Sequence, residues 1–180
     1  MIMQRNTVTR VLALDPFSRG VGFAVLEGPE HLIDWGLKTT GRADNGKAIR
    51  AIEVLVARFQ PDVLAVEDSD AAGSRRRGRV QQLLDRIVSA KSPSLPVRLV
   101  SRRQLSAIGP LPQASTKYGR ACLLAERFPE LQPSLPRFRK SYMSEDDRMA
   151  IFDAVGFAVA CFPQYKANRA DHPPRDLDEQ

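Results

Sequence analysis

The sequence predicts one mixed α/β domain: an antiparallel three-strand meander followed by two parallel strands, with helices on both faces of the sheet. Three strand-like segments follow one another closely near the N-terminus. Two short strand-like segments then alternate with amphipathic helical segments. Hydrophobic residues make up 43% of the 180 residues, which is enough for one sizeable core.

The meander comes first in the chain. Residues 9–14 (TRVLAL) are rich in strand-forming side chains and end at Asp15-Pro16, a turn signal. Residues 20–27 and 31–39 have the same character and predict the second and third strands. The short connections between these segments are typical of antiparallel neighbours.

Helices and buried strands alternate in the rest of the chain. Residues 63–66 are wholly apolar, as expected of a strand covered on both faces, and residues 97–100 predict another short strand. Ser115 is the expected N-cap of the helix that follows. Apolar residues recur at helical spacing in the segments 45–60, 79–89, 115–128 and 147–162.

The remaining segments set the domain boundaries. Residues 131–140 are rich in proline and basic side chains and predict a loop. Residues 163–180 are polar and without periodicity, so we expect a flexible tail. Residues 1–162 are therefore expected to form the single domain.

Several classes of protein are disfavoured by the sequence. No apolar run reaches the roughly 20 residues that span a bilayer, and the N-terminus lacks a signal-peptide pattern. We therefore expect a soluble, cytoplasmic protein with no membrane partner. Cys122 and Cys161 are the only cysteines, and each lies in an apolar helical pattern, which predicts two buried thiols rather than a disulfide or a zinc site.

Positive charge is concentrated in one segment of the chain. The formal net charge is +6, and nine Lys or Arg but only one acid, Asp85, lie between Ser74 and Arg103. Such a patch neutralises phosphates and releases counterions, which favours a nucleic-acid partner over the alternative of a solvated basic face. The residues of this segment that we expect to bind phosphates are Arg75, Arg76, Arg77, Arg79, Arg102 and Arg103.

Three acidic residues are placed where they could support chemistry. Asp15 and Glu67 end the first and fourth strands, and Asp153 lies inside the last helix. If those strands are neighbours, Asp15 and Glu67 emerge at the same end of the sheet, and the helix can bring Asp153 to them. Carboxylates gathered in this way repel one another, and a divalent cation relieves the repulsion. Oxygen ligands favour Mg²⁺ or Mn²⁺, and two such ions about 4 Å apart can promote phosphodiester hydrolysis.

Each of these acids also has an ordinary structural interpretation. Asp153 is surrounded in sequence by apolar residues, and burying a lone carboxylate costs on the order of several kcal/mol unless it is paired or binds a metal. It is therefore either a metal ligand or a residue that faces water on a narrow polar stripe. Asp15 and Glu67, as strand-end acids, could equally be turn formers or helix caps.

Three segments resemble the RuvC group of Holliday junction resolvases, which belongs to the RNase H-like superfamily. Residues 11–25 (VLALDPFSRGVGFAV) resemble the opening strand-turn-strand of that family. Residues 62–67 (DVLAVE) are similar to its second acidic strand, and residues 153–160 (DAVGFAVA) to its closing helix. The order and rough spacing of the segments match, and together they span most of residues 9–162.

The resemblance implies an RNase H-like fold, a homodimer, two Mg²⁺ or Mn²⁺ ions, no small-molecule cofactor, and hydrolysis of DNA phosphodiesters at four-way junctions. It implies that Asp15, Glu67 and Asp153 are the metal ligands. A basic residue near the start of the penultimate helix lies close to the scissile phosphate in the family, and Lys117 is the matching residue here. Without the resemblance, Lys117 is equally well a surface lysine. We also expect Arg120, on the same helix, to contact nucleic acid.

One departure from the family's pattern concerns its acids. The family usually carries an acid one turn before the closing aspartate, and this chain has Ala150 there. Asp146 and Asp147 lie seven and six residues before Asp153, which is too far for one shared ion if the helix already includes them. Asp146 is expected as the additional metal ligand if the last helix starts later than residue 147.

Two other departures concern the surroundings of the acids. Phe17 replaces the glycine that usually follows Asp-Pro. No wedge aromatic follows Glu67, where the sequence continues with residues 68–70 (DSD). The missing aromatic slightly favours a substrate other than the four-way junction.

The predicted function is a metal-dependent endonuclease for Holliday junctions or other branched DNA. One alternative is an RNase H-like nuclease of structured RNA, similar to the YqgF group. Another is a nucleic-acid-binding module without catalysis, which the incomplete set of acids suggests. ATPases of the actin and sugar-kinase class also open with strand-Asp-turn-strand, but such chains are normally much longer.

Overall fold

The computed structural model describes residues 8–41, 44–69, 78–89, 95–109, 113–140 and 143–162. Within these residues, five strands form one mixed sheet in the order β3-β2-β1-β4-β5. The first three strands form an antiparallel meander, and β4 and β5 run parallel to β1, as predicted. The strands are β1 (Arg10–Phe17), β2 (Gly20–Glu27), β3 (Leu32–Thr39), β4 (Val63–Glu67) and β5 (Val97–Val100).

Five α-helices accompany the sheet in the described part of the chain. They are α1 (Asn45–Phe59), α2 (Arg79–Ser89), α3 (Arg102–Ser106), α4 (Lys117–Arg127) and α5 (Met149–Ala160). None of them is long and apolar enough to cross a membrane. The predicted tail, residues 163–180, lies outside the described residues.

The short helix α3 was not predicted, because five residues are too few to show a helical period. Its sequence signal is a capping box. The Ser101 side chain accepts a hydrogen bond from the backbone N–H of Gln104, and the Gln104 side chain accepts one from the N–H of Ser101. The pattern Ser-x-x-Gln after a strand is the feature that indicates this helix.

The predicted end of β1 was wrong, because Asp15 lies within the strand rather than after it. β1 stays paired with β2 as far as Phe17. Pro16 is tolerated there because the parallel pairing with β4 ends at Leu14, so that side of β1 needs no further ladder hydrogen bond. The backbone of Asp15 is thus held in the sheet.

Three other boundaries differ from the prediction. The N-cap of α4 is Thr116 rather than Ser115, since the Thr116 hydroxyl accepts from the N–H of Gly119 at 2.9 Å. α5 begins at Met149 rather than at residue 147. The predicted loop at 131–140 begins inside a 3₁₀ helix, Pro129–Ser134.

Helices cover both faces of the sheet, as predicted. Alternate residues of a strand point to opposite faces. On one face Leu12, Leu14 and Val66 pack with the apolar sides of α1 and α2. On the other face Ala13 and Ala65 pack in the same cluster as the buried residues of α3, α4 and α5.

Helix α5 lies directly against β2, and Gly22 makes the close approach possible. A Cβ placed on Gly22 would lie 2.5 Å from the backbone carbonyl group of Ala150. Gly22 is the partner of Asp15 in the β1–β2 ladder, so the start of α5 contacts the sheet beside Asp15. Ala150 is 3% exposed and buried against this glycine, which accounts for a small apolar residue at that position.

We expect Cys161 to resist alkylation in the folded protein. Burial raises the pKa of its thiol to about 11, which leaves little thiolate near neutral pH. Cys122, by contrast, is only half-buried, so the prediction that both thiols are buried is wrong for Cys122. Peptide mapping after iodoacetamide treatment should find Cys161 unmodified until denaturant is added; rapid modification of the native protein would contradict the burial.

Candidate active site

Asp15 and Glu67 lie side by side at the carboxyl ends of the two neighbouring parallel strands. Leu14 pairs with Val66 in the β1–β4 ladder, so the next residue of each strand falls beside the other. Asp15 lies two residues after Ala13 and Glu67 two residues after Ala65, and residues two apart in a strand point to the same face. Both acidic side chains therefore belong to the face that α5 covers. Asp15 is 1% exposed and Glu67 2%, so neither is a solvated turn residue.

Asp153 reaches the same region from α5. It is 8% exposed, so the alternative in which it faces water on a polar stripe is wrong. Its Oδ2 atom lies 2.7 Å from Nζ of Lys117, at the start of α4. The pairing provides the counter-charge that a buried carboxylate needs.

Lys117 is the cation that contacts Asp153. Thr116 caps α4 and places Lys117 at the first helical position, where its side chain is 28% exposed. Burial lowers the pKa of the ammonium group, but the carboxylates of Asp153, Asp15 and Glu145 outweigh burial, and the pKa is raised. Lys117 therefore stays protonated: it is neither a solvated surface lysine nor a general base.

A second cation lies against Glu67. The Nε atom of Arg102, the first residue of α3, donates to Oε1 of Glu67 at 2.9 Å. The Glu67 side chain is 1% exposed and that of Arg102 38%, so the pair extends from the interior to the surface. Arg102 was expected to bind phosphate, but its guanidinium group is engaged with the carboxylate in this structure.

A cavity of about 620 Å³, here called the acidic cavity, opens beside Asp15. Its walls include Lys117, Arg19 and the turn formed by residues 144–147 before α5. This size is typical of sites that admit small ligands or ligand groups. A phosphate group can therefore approach Lys117 from solvent, next to the buried carboxylate of Asp15.

Asp146, which was expected as an additional metal ligand, has other partners. Its Oδ2 atom accepts from Arg139 at 3.0 Å, and its Oδ1 atom accepts from Nε of Arg148 at 3.0 Å. Hydrogen bonding from Arg148 lowers the pKa of the Asp146 carboxyl group. Asp146 lines the acidic cavity, but two arginines already satisfy its carboxylate.

Glu145 is the acid that sequence analysis missed. Its Oε1 atom contacts Nζ of Lys117, the same atom that contacts Asp153. Asp147, the next acid along the chain, also lines the acidic cavity but binds Arg19, whose Nη2 lies 2.6 Å from its Oδ2. No helical spacing could have revealed Glu145, because it lies in the turn before α5.

The donor chemistry of the cluster fits a hard divalent cation, because carboxylate oxygens are the ligands such ions prefer. The side-chain arrangement does not present a finished site. In residues 8–162 as far as they are described, no three acidic, His or Cys side chains are grouped so as to hold one ion. Instead, Lys117 pairs with Oδ2 of Asp153 and Arg102 with Oε1 of Glu67, so a cation bound to either acid shares the carboxylate with a basic side chain or displaces it.

The other predicted phosphate contacts have mixed outcomes. Residues 75–77 lie outside the described residues, and Arg79 begins α2. Arg103 is exposed on α3. Arg120 is only 8% exposed, and its Nη1 donates to the backbone carbonyl of Ala114 at 3.2 Å. Arg120 therefore supports the turn before α4 and is buried in this structure, and its contact with nucleic acid stays a prediction.

The sheet order, the helices on both faces and the buried acids define an RNase H-like fold with an acidic cluster at the ends of its central strands. Thermus thermophilus RuvC has a similar structure, with a TM-score of 0.59 and 17% identity over 89% of this chain and 96% of that chain. The T. thermophilus RuvC in complex with a Holliday junction substrate gives a TM-score of 0.60 and 16% identity over 90% and 96%. No family profile and no characterised protein matches the chain by sequence. The resemblance to RuvC is thus confirmed for the fold.

Proposed function

We propose that this protein is a divalent-metal-dependent endonuclease that hydrolyses DNA phosphodiesters at Holliday junctions or other branched DNA. The observation that carries the proposal is that Asp15 and Glu67 end up side by side on neighbouring strands and are buried, as is Asp153, while Asp15 lines a cavity open to solvent. Buried acids are rare unless they are paired, and they concentrate at functional sites. The structural likeness to a RuvC solved with a Holliday junction substrate supports the same class of substrate.

In the proposed site Asp15, Glu67 and Asp153 would hold two Mg²⁺ or Mn²⁺ ions. Ions of this kind, when bound, supply an activated water and stabilise charge on the leaving oxygen of a phosphodiester. Lys117 contributes fixed positive charge where the phosphate approaches, since it stays protonated between Asp153 and Glu145. Arg102 orients the Glu67 carboxylate. Asp146 is left out of the proposed ligand set because two arginines already bind it.

We further propose that the active form is a homodimer, since two equivalent sites would cut the two strands of a junction symmetrically. The apolar stripe of α2 is not available for that contact. Its Leu83, Leu84 and Ile87 are buried in the core of the chain itself. The dimer therefore needs another surface, and light scattering during size-exclusion chromatography would measure its mass.

The proposal is tested by a panel of labelled substrates incubated with Mg²⁺, with Mn²⁺ or with EDTA. The panel comprises a four-way DNA junction, a matched linear duplex, an RNA–DNA hybrid and a structured RNA. We expect paired symmetric nicks in the junction, dependent on metal, and an intact linear duplex. Cleavage of an RNA-containing substrate alone would support the proposed active site but contradict the proposed DNA substrate.

A non-catalytic binding module is the second candidate, and one specific observation favours it. Lys117 and Arg102 already pair with Asp153 and Glu67, so two of the three buried carboxylates have a counter-charge without a metal. Such a protein would bind the junction tightly and cut none of the four substrates under any metal condition. That result would replace the nuclease proposal.

We expect Lys117→Met to lower stability in EDTA and to make stability respond strongly to divalent metal. The substitution removes the partner 2.7 Å from buried Asp153. Removing one partner of a fully buried pair costs about 3–5 kcal/mol, and since Lys117 is 28% exposed we expect about 2 kcal/mol. Thermal unfolding in EDTA and in excess Mg²⁺ measures the effect.

Lys117→Arg is the matched control for that experiment, since it keeps the positive charge. Mg²⁺ should raise the melting temperature of Lys117→Met more than that of the wild type or of Lys117→Arg, because a bound cation replaces the lost ammonium group. An identical response to Mg²⁺ in all three proteins would argue against metal binding at these acids.

A further inference from the structure

A second cavity, of about 390 Å³, adjoins the acidic cavity, and the proposed hydrolysis does not use it. The two cavities share Lys117, Glu145 and Asp146 among their lining residues. The second cavity is also lined by the start of α4 and by the basic segment 136–140. We call it the aromatic pocket. The two cavities are therefore neighbours, and a ligand that spans the shared residues would contact both.

Two aromatic rings form one side of the aromatic pocket. Phe138 is 69% exposed, which is unusual for so large an apolar side chain. The ring of Tyr118 meets that of Phe138 edge-on, with 5.3 Å between the centroids and 75° between the planes. This contact fixes the orientation of the Phe138 ring without covering it. Met143, which is 50% exposed, adds apolar surface to the same pocket.

The charges around the aromatic pocket favour an anionic ligand. Arg137 and Lys140 line it and are exposed. Its lining includes four basic residues and only two acids: Lys117, Arg137, Arg139 and Lys140 against Glu145 and Asp146. A ligand entering the pocket therefore meets net positive charge next to an exposed aromatic ring.

We propose that the aromatic pocket binds one unpaired base of the nucleic acid whose phosphate enters the acidic cavity. The base stacks on Phe138, and the flanking phosphates meet Arg137 and Lys140. Stacking on an aromatic ring beside basic side chains holds single-stranded nucleotides with little dependence on sequence. A protein partner or a second copy of the chain could also cover an exposed phenylalanine, but the cationic rim and the shared wall with the acidic cavity favour a polyanion.

The inference rests on the proposed function and narrows it. It predicts that the protein prefers DNA with an unpaired nucleotide next to the cleaved phosphodiester. DNA that is only bent or nicked should be a poorer substrate. It also assigns a role to the basic, proline-rich segment after α4, which the hydrolytic site leaves without one.

The test is a binding measurement in EDTA, where no cleavage occurs, on two labelled DNA duplexes. One duplex is fully paired, and the other carries a single unpaired 2-aminopurine, whose fluorescence falls when it stacks. We expect Phe138→Ala to bind the unpaired duplex about tenfold more weakly than the wild type, the size of one lost base–aromatic stack. It should bind the paired duplex equally well and fail to quench the 2-aminopurine. Circular dichroism would confirm that the variant remains folded.

Three further variants separate stacking from other effects. Phe138→Trp should retain binding and quenching, because it keeps an aromatic face. Arg137→Ala should weaken binding to both duplexes alike, as expected for a phosphate contact. Val54→Ala truncates an exposed apolar residue, 63% exposed on α1, and should change nothing.

Equal binding and quenching by Phe138→Ala and the wild type would overturn the inference and leave the proposed nuclease intact. If the wild type bound neither duplex nor a four-way junction, both proposals would fall together. A change in the mass of the protein upon Phe138→Ala, with DNA binding unaltered, would replace the inference by a contact between copies of the chain.

Discussion

Asp15→Asn should abolish cleavage of the junction and leave DNA binding intact or stronger. The carboxylate is 1% exposed, lies beside Glu67 and contributes to the charge around Lys117. Asparagine keeps the size and most of the hydrogen-bonding capacity of the residue but removes the negative charge that a divalent cation needs. We expect the rate of cleavage to fall by about 10³-fold or more. Removing one electrostatic group from an active site typically lowers the rate by about 10²–10³-fold, so this effect is at or above that range. Binding should not fall, because one charge that repels phosphate is gone.

The matched control is Asp34→Asn, which makes the same chemical change on β3. Asp34 is on the edge strand and pairs only loosely with Arg58, at 3.8 Å. Both variants raise the net charge by the same amount, so any general gain in DNA affinity should appear in both. Cleavage should vanish only in Asp15→Asn. Joint loss of binding and cleavage in Asp15→Asn would instead indicate that the residue holds the fold.

Gly22→Ala should destabilise the protein and reduce cleavage, although Gly22 takes no part in the chemistry. The added Cβ would lie 2.5 Å from the backbone of Ala150, so α5 or β2 must shift. Overpacking of this kind costs about 1–3 kcal/mol, which corresponds to a melting temperature lower by about 2–12 °C in a chain of this size. Because Asp153 lies on the same helix, the shift also moves its carboxylate away from Asp15. Thermal unfolding and junction cleavage would measure the two effects.

Gly46→Ala is the control for that substitution. Gly46 lies in the first turn of α1, where the nearest atom to an added Cβ is a side-chain oxygen of Asp44 at 3.3 Å. Alanine stabilises helices relative to glycine, so this variant should hold or gain stability. If Gly22→Ala behaved like Gly46→Ala, the close packing of α5 on β2 would not be what positions Asp153.

The placement of Asp15, Glu67 and Asp153 could be predicted because local sequence patterns determine it. Apolar runs that end in an acid predict strand ends, and an acid inside an apolar helix predicts a buried charge. Neighbouring strands in parallel register then bring Asp15 and Glu67 together. The predicted end of β1 was wrong, because no local pattern shows how far the β1–β2 pairing extends beyond Asp15-Pro16.

The partners of these acids could not be predicted, because they come from distant or very short segments. Arg102 binds Glu67 across 35 positions of sequence from a helix of five residues. The choice of Glu145 over Asp146 beside Lys117 depends on where α5 starts and on two arginines that bind Asp146. Arg120 was expected to contact nucleic acid, and only the packing of α4 shows that its side chain is buried.

The aromatic pocket was equally hidden from sequence analysis. Tyr118 lies in the first turn of α4, whereas Phe138 follows the 3₁₀ helix, in a proline-rich basic segment that predicts only a loop. The missing aromatic after Glu67 was visible in the sequence, whereas the exposed ring at Phe138 is a tertiary feature. Its role depends on its distance from the acids, which sequence spacing does not indicate.

The central claim, that the buried carboxylates hold divalent cations, is tested most directly by Mn²⁺ binding. Electron paramagnetic resonance measures free Mn²⁺ during titration of the wild type, of Asp15→Asn and of Asp34→Asn, without any nucleic acid. We expect the wild type and Asp34→Asn to bind Mn²⁺ alike and Asp15→Asn to lose most of that binding. Equal binding by all three proteins would show that the ions lie elsewhere and would contradict the proposed site.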